Sequence, residues 1–405
     1  MTILIELEQF GKPKAGKEKF AVALQRARMN NVPSHPVYNW LETAGITGPT
    51  LAFDLNAIEN RMRWLAEMSG TFSVTPLLAV KSCTDPGFLA LAHQCLDGFD
   101  VSNLAEYALL HDELQGKLVS VTSPVMADDL DAFRSKGNDL VVVLDSRFQL
   151  ERHLAQEKPG DYLLRIQGPG LLEGSKPADP AYYPVTRFGF TINEVERLLR
   201  DPKVQKSQPV GFHVHHGSEV NRLSTYKTMV NGLSKLASLL NEPVRYINLG
   251  GGWHHLSNQE ISEALEYARR LFPEPCSILF EPGRWYAESA GYAVGTIVNL
   301  SRAGDIIRCT LNLSGKSHLH WSSPRLLHRF EPHHDKGCVV QFFGPSCYES
   351  DFIGKYYVPY SADVITDAGL GCGKQVVFGN VSTYSVEWNT SFNGIPAVDV
   401  KWPRF

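Results

Sequence analysis

Several short apolar runs of the chain end in side chains that can carry charge or react. The run SILF is followed by Glu281, Pro282, Gly283 and Arg284, and Lys81 directly follows LLAV. Taken alone, the first stretch is typical of a surface turn with a weak ion pair, and the second of a lysine snorkelling off a strand end. Both also suit chemistry. A lysine in a semi-apolar pocket can form a Schiff base, and a guanidinium beside a bare glycine amide suits phosphate.

Histidines follow a third apolar run. In GFHVHHGSEV, His213 and His215 fall on one face of a predicted strand and His216 on the other, before Gly217 and Ser218. A metal site is disfavoured, because no nearby carboxylate or cysteine completes a familiar ligand spacing. An imidazole can instead stack on a planar ring, and a Gly-Ser turn offers donors to an anion.

A glycine triplet, 250–252 in NLGGGW, ends a fourth run. Such a triplet permits either a tight turn or close approach of the backbone to a phosphate. The combined features are a phosphate site, a ring to stack, a carboxylate (Glu281) for a ring nitrogen and an amine (Lys81) for an aldehyde. Together they predict pyridoxal 5′-phosphate as cofactor and no metal.

Alternating strands and helices must position these residues. Between Leu77 and Glu281 eight apolar runs recur, with helical periodicity in the segments between several of them. Alternation of this kind implies parallel strands, and eight runs fit an eight-stranded β/α (TIM-like) barrel with its chemistry at the carboxyl ends of the strands. A doubly wound open sheet is disfavoured, because no GxGxxG opens a helix early in the chain.

The rest of the chain predicts a second domain. After about Ala290, segments such as IIRCTLNL and QVVFGNV are rich in β-branched and aromatic residues and are divided by glycine and proline. We therefore expect an α/β fold with a C-terminal all-β domain. The predicted boundaries are 1–55 (a segment adding a strand to the β domain), 56–289 (the barrel) and 290–405 (the β domain).

Composition excludes several classes of partner. The chain has 405 residues with a formal net charge of -4, which gives no reason to expect nucleic acid or an anionic membrane. No apolar stretch approaches the roughly 20 residues that span a bilayer, and the N-terminal segment lacks the pattern of a signal peptide. The seven cysteines are scattered without CxxC spacing, which favours a reducing, cytoplasmic location.

Motifs over most of the chain, from about Pro49 to Gly394, resemble one family. They are AVKS, GFDVSNLAE, LLRI, RFGF, HxGS, GGG and EPGR in the barrel segment, then GPSCYESD and FGNVSTYSVEWNTSFNG. In this order they resemble the fold-type III pyridoxal-phosphate-dependent amino acid decarboxylases, the group of the ornithine, diaminopimelate and carboxynorspermidine decarboxylases. The resemblance implies an alanine racemase-like barrel with a β domain, acting as a homodimer with active sites at the subunit interface.

The resemblance also implies individual roles. Lys81 would form the internal aldimine, His215 would stack on the ring, and Glu281 would pair with the pyridinium nitrogen and so favour a quinonoid after loss of carbon dioxide. Cys347, from a second subunit, would handle the proton. The implied phosphate ligands are Ser218, Gly252, Gly283, Arg284 and Tyr384, and Asp100 and Arg165 would line the ring's other edge.

The predicted substrate is a larger or specialised amino acid rather than ornithine or lysine. In the ornithine and diaminopimelate members the residue after the catalytic cysteine is acidic, but here it is Tyr348. The candidate substrate-binding residues are Tyr348, Glu349, Asp351, His318, His320 and Arg325. Those from His318 to Arg325 belong to a loop that either lines the pocket or lies on the surface.

Three other functions stay open at this point. A small pyridoxal-phosphate carrier protein would lack the β domain. An amino acid racemase of the same fold would place a cationic partner on the ring nitrogen, and Glu281 argues against it. A non-catalytic, partner-binding homologue would be expected to lose Lys81 or Cys347, but both are present.

Overall fold

The computed structural model describes residues 35–125, 130–157, 159–172, 186–217, 222–304, 306–327, 337–358, 362–363, 365 and 369–405. They form two compact units. One, the barrel unit, is Glu59–Tyr286; the other, the β unit, combines the described residues up to Ile58 with those from Ala287 to Phe405. The first elements in chain order are helix α1 (Pro36–Ala44), strand β1 (Thr50–Phe53) and helix α2 (Leu55–Phe72).

The barrel unit contains eight parallel strands that close on themselves. Each strand pairs with the next one in sequence, and the last pairs with the first. The strands are β2 (Val74–Ala79), β3 (Gly98–Val101), β4 (Leu118–Thr122), β5 (Asp139–Leu144), β6 (Tyr162–Ile166), β7 (Gly211–Val214), β8 (Tyr246–Asn248) and β9 (Ser277–Phe280). Parallel strands of this kind are buried on both faces and therefore read as continuous apolar runs. All five residues of β6 are buried, the arginine included. The predicted β/α barrel is confirmed.

Helices follow most of these strands. They are α3 (Pro86–Cys95), α4 (Leu104–Ala108), α5 (Arg147–Leu154), α6 (Gly168–Leu171), α7 (Ile192–Leu198), α8 (Pro202–Lys206), α9 (Leu223–Ala237), α10 (Asn258–Leu271) and α11 (Arg284–Ala287). The start of α10 is a capping box, in which Ser257 and Glu260 satisfy each other's backbone amides. Its buried residues Ile261, Ala264, Leu265 and Ala268 recur at helical spacing, so one face of the helix is apolar.

The β unit is built around a mixed sheet. Its strands are β10 (Gly291–Ala303), β11 (Ile306–Leu311), β12 (Arg325–Leu326), β13 (Cys338–Phe343), β14 (Phe352–Val358), β15 (Gln375–Gly379) and β16 (Asp399–Lys401), and a short helix α12 spans Tyr384–Glu387. The hydrogen-bonded order is β12-β15-β10-β11-β13-β14. Strand β1 pairs with β10 in antiparallel and with β16 in parallel orientation. This mostly-sheet unit confirms the predicted β domain.

No described helix has the length and apolarity that crossing a membrane requires. No group of three or more histidine, cysteine or acidic side chains within the described ranges is arranged to hold a metal ion.

Candidate active site

Charged and polar side chains gather at the carboxyl end of the barrel. Lys81 lies in the turn Val80–Ser82 directly after β2, and Glu281 directly follows β9. These two strands pair with each other. The residues that other strands contribute near their carboxyl ends are Asp100 (β3), Arg165 (β6), His213 (β7) and Asn248 (β8). Since all eight strands are parallel, these side chains belong to one rim, where enzymes of this fold carry their chemistry.

Lys81 is held by a buried aspartate. Its Nζ lies 3.1 Å from Oδ2 of Asp100, which is fully buried, while 39% of the lysine side chain is exposed. Burial raises the pKa of Asp100 to about 6; the negative charge of Glu281 acts in the same direction, and Lys81 opposes it. The amine is therefore fixed at the rim but can still be reached from solvent.

Glu281 is a second buried carboxylate. Its Oε1 accepts a 2.7 Å hydrogen bond from Nδ2 of Asn248 and lies 3.5 Å from Nε2 of His213. Burial raises the pKa of Glu281, while Lys81, the bond from Asn248 and Arg165 act against that shift. Burial also lowers the pKa of His213 well below its usual value, so this neighbour is neutral.

The glycine triplet orients the ring of His215. Burial lowers the pKa of His215 well below its usual value, so the ring is neutral. The amide of Gly251 donates to its Nδ1 at 3.1 Å, so the ring proton is on Nε2. Gly250 and Gly252 have positive φ angles of 62° and 93°. A Cβ on Gly250 would lie 2.5 Å from the carbonyl oxygen of Val214. Glycine is therefore required where the backbone runs against this ring.

Arg165 forms a buried ion pair. Its Nη1 lies 3.2 Å from Oδ1 of Asp145, and both side chains are almost completely buried. The guanidinium also stacks on Phe188, 4.4 Å from the ring centroid. Burial lowers the pKa of Arg165, an effect that Asp145 opposes. The arginine therefore keeps a fixed orientation at the end of β6.

The turn after β9 meets the turn after the glycine triplet. Arg284 is buried and follows Gly283, and its Nη1 lies 3.2 Å from Nε2 of His254. His254 belongs to the turn Trp253–His255, which begins after Gly252. Glycine amides and a guanidinium thus lie on two adjoining turns, a donor set that suits phosphate. The predicted ligand Ser218 lies outside the described residues.

The predicted proton donor and two of the substrate-binding candidates lie in the β unit, on the loop between β13 and β14. Cys347 is exposed, as is Glu349. Tyr348 is 57% exposed, and its ring meets Phe392 edge-on at 6.3 Å. Their roles stay predictions.

Asp351, at the end of the same loop, is buried, and several groups donate hydrogen bonds to its carboxylate. Its carboxylate accepts hydrogen bonds from the hydroxyls of Ser314 (2.9 Å) and Ser346 (2.7 Å) and from the amide of Lys316 (3.2 Å). The loop that carries Cys347 is thereby fastened to the segment after β11. A direct contribution of Asp351 to substrate binding stays a prediction.

The candidates after β11 differ in exposure. His318 is fully buried: Nδ1 accepts from the amide of Ser314 (3.0 Å), and Nε2 donates to the carbonyl of Pro396 (3.1 Å). Burial lowers its pKa, so the ring is neutral. His320 packs against Trp388 with ring centroids 4.8 Å apart, and Arg325 is exposed at β12.

The predicted phosphate ligand Tyr384 begins α12.

Three polar residues of the barrel rim are not among those that the sequence predicted. They are Asp145, Asn248 and His254. Asp145 ends the run LVVVLD, and Asn248 immediately precedes the last leucine before the glycine triplet. A polar residue at the end of an apolar run is the signal that pointed to Lys81, and it would have found both.

The arrangement fits pyridoxal phosphate, and comparison with known proteins agrees. A backbone cradle that a Cβ would fill, a buried carboxylate and an accessible lysine lie at one rim. Residues 55–288 match the model of the pyridoxal-binding domain of pyridoxal-dependent decarboxylases. The chain belongs to this family, which confirms the predicted family and the pyridoxal cofactor.

Individual relatives are distant. The chloroplastic ornithine decarboxylase of Nicotiana glauca is 24% identical over 277 residues, covering 65% of this chain and 61% of that protein's length. An amino acid decarboxylase of Epichloe uncinata is 22% identical over 411 residues, with 93% and 92% covered. The crystal structure of the arginine decarboxylase of Paramecium bursaria Chlorella virus aligns with a TM-score of 0.73 at 21% identity, covering 91% of this chain and 99% of that one. This likeness shows a shared fold.

Proposed function

We propose that the protein is a decarboxylase that uses pyridoxal phosphate to remove the α-carboxylate of an amino acid. The carrying observation is an accessible Lys81 that pairs with the buried Asp100 and shares the carboxyl end of the barrel with a second buried carboxylate, Glu281. When bound, the cofactor supplies an aldehyde that condenses with amines and a protonated ring that accepts an electron pair.

Each residue of the barrel site would have its own role in binding the cofactor or in catalysis. Lys81 would hold the aldehyde carbon, with Asp100 keeping the lysine in place. Glu281 would keep the proton on the ring nitrogen, because a nearby negative charge favours the cationic form of a base. The neutral His215 would cover one face of the ring, and Gly252, Gly283 and Arg284 would bind the phosphate.

The roles proposed for the β unit rest on the family resemblance. Sγ of Cys347 would donate a proton to the α-carbon after carbon dioxide has left, and Tyr384 would add a phosphate contact.

A homodimer in which Cys347 comes from the second subunit can be tested by mixing two inactive variants, Lys81→Ala and Cys347→Ala. Partial recovery of activity is expected, since some mixed dimers hold one intact site. No recovery despite proven subunit exchange would place both residues of a site in one chain.

The proposed substrate is a larger or specialised amino acid. Tyr348 supports this proposal, because a phenol offers a hydrogen bond or a ring face but no charge to a distal ammonium. Two of the relatives named above are an ornithine decarboxylase and an arginine decarboxylase, so these amino acids belong in any test panel.

The test begins with the cofactor. Purified protein with added pyridoxal phosphate should absorb as a lysine adduct, and borohydride should fix the label on Lys81. Lys227→Ala, which removes a helix lysine 3.8 Å from Glu263, is the matched control and should label like the wild type. Release of carbon dioxide is then measured across a panel of amino acids. Label on another lysine, or racemisation without carbon dioxide release, would overturn the proposal.

A further inference from the structure

Asn248 joins two parts of the barrel site. It is the last residue of β8 and is completely buried. Nδ2 donates to Oε1 of Glu281 at 2.7 Å, and Oδ1 accepts from the amide of Gly250 at 2.9 Å. Both ends of the side-chain amide are therefore in use, one on the buried carboxylate and one on the glycine triplet.

The orientation of this amide follows from its partners. The backbone amide of Gly250 can only donate, so it must face Oδ1, and the NH2 group must face Glu281. The reversed orientation would place a donor against a donor and an oxygen against a carboxylate. Asn248 is therefore an obligatory hydrogen-bond donor to Glu281, and such a bond favours the ionised carboxylate.

The other groups around Glu281 act in both directions. Lys81 and Arg165 favour its ionised form. Asp100 is a like charge whose own pKa Glu281 raises, and His213 is neutral. Burial opposes ionisation most strongly. The bond from Asn248 is a short hydrogen bond that offsets this burial without adding charge.

We propose that Asn248 is a positioning residue that keeps Glu281 ionised and correctly turned for the cofactor ring, and that fixes it relative to the glycine triplet. The proposal rests on the proposed function, because it assigns Glu281 to the ring nitrogen. It extends that function by naming the side chain that holds the carboxylate in its working state.

The test uses two variants of the full-length protein. Asn248→Ala removes the donor, so the dissociation constant of pyridoxal phosphate at neutral pH should rise about 10-fold or more, as expected for losing a hydrogen bond to a charged group. The acid limb of the plot of cofactor affinity against pH should also move to higher pH. Asn248→Asp should behave differently, because a protonated aspartic acid can donate where the amide donates. Affinity should therefore be near that of the wild type at low pH and fall at high pH, where two carboxylates would face each other.

A matched control separates this role from a structural one. Asn138 is another buried asparagine of the barrel unit, bonded to Tyr107 and to the carbonyl of Phe133. Asn138→Asp should lower the unfolding temperature and leave the pH dependence of cofactor binding as in the wild type. If either folded Asn248 variant also keeps the wild-type pH dependence, the inference is wrong. A wild-type protein that binds no pyridoxal phosphate would instead overturn the proposed function.

Discussion

Two buried aspartates, one in each unit, are held in opposite ways. Asp100 of the barrel unit faces Lys81 and the like charge of Glu281, and burial raises its pKa to about 6. Asp351 of the β unit accepts hydrogen bonds from two serine hydroxyls and a backbone amide. The fold opposes ionisation of Asp100, whereas it supplies Asp351 with several hydrogen-bond donors.

The difference distinguishes a carboxylate of the proposed active site from a carboxylate that stabilises a loop. Carboxylates whose ionisation the fold disfavours cluster at functional sites, because catalysis needs charges in places that folding alone would leave apolar. A buried carboxylate with several donors instead fastens loops together. The following predictions test this contrast, from the largest expected effect to the smallest.

Glu281→Gln should have the largest effect, on turnover. The protein should still bind the cofactor at saturating concentration, though more weakly than the wild type, but decarboxylation should slow by several orders of magnitude, because a neutral amide cannot keep the ring nitrogen protonated. The measurements are kcat on the best amino acid of the panel and the cofactor dissociation constant. Glu263→Gln, on helix α10, is the control. Near-normal turnover of Glu281→Gln would contradict the catalytic role proposed for Glu281.

Asp351→Ala should act on stability. Removing the carboxylate leaves the hydroxyls of Ser314 and Ser346 without their acceptor, which should lower the free energy of unfolding by about 2–4 kcal/mol. Urea unfolding measures this loss, and faster hydrogen exchange of residues 344–351 should accompany it. Glu349→Ala, at an exposed position of the same loop, should change stability by less than about 0.5 kcal/mol. Equal effects of the two variants would contradict the scaffold role.

Asp100→Asn should stabilise the cofactor-free protein. The folded-state pKa of Asp100 (about 6) is above its ordinary value of 3.8, so the folded protein binds this proton more tightly than the unfolded chain does. Stability therefore falls as pH rises from about 4 to about 6 and stays lower above that range. The shift of about 2 pKa units corresponds to a gain of at most about 3 kcal/mol for the asparagine variant at pH 8.

The pH dependence of this gain provides the check. The difference in free energy of unfolding between Asp100→Asn and the wild type should shrink as pH falls below about 6 and vanish near pH 4. Asp139→Asn, at the exposed start of β5, should show little difference at either pH. A destabilising Asp100→Asn at pH 8 would mean that Asp100, like Asp351, serves the fold.

Tyr348→Asp should have the smallest effect, on substrate preference. A pocket without a carboxylate binds a distal ammonium poorly, so an aspartate here should raise kcat/KM for ornithine about 10-fold or more relative to the wild type. Tyr348→Phe keeps the ring and is the control. Wild-type turnover of ornithine or lysine at about 10⁴ M⁻¹s⁻¹ or above would refute this interpretation of Tyr348.

The barrel could be predicted because the features that define each strand lie within a few consecutive residues. A strand buried on both faces needs a continuous apolar run, and a reactive rim needs polar residues where the runs stop. LLAVK and SILFE show both features, so Lys81 and Glu281 were identified without knowledge of their neighbours.

Contacts that depend on strand register could not be predicted in this way. The bond from Asn248 to Glu281 requires β8 and β9 to lie side by side, with Asn248 opposite Leu279. His318 and Asp351 belong to polar, glycine- and serine-containing segments that are typical of surface loops. Both are buried, because their partners come from distant segments, such as the carbonyl of Pro396 for His318.

The position of β1 between β10 and β16 sets an order of events during synthesis. Residues near β1 meet residues near β16 across 349 positions of sequence, as in the bond from Asn56 to the carbonyl of Phe405. At about 5–20 residues per second, a ribosome needs roughly 20–70 s to cover this distance. All barrel strands and β10 have been synthesised before then, whereas the other edge of β1, an apolar strand, still lacks its partner β16. An unpaired strand edge of this kind is a site for wrong pairing, so we expect wrong pairing at β1 to be most frequent in the interval before β16 emerges.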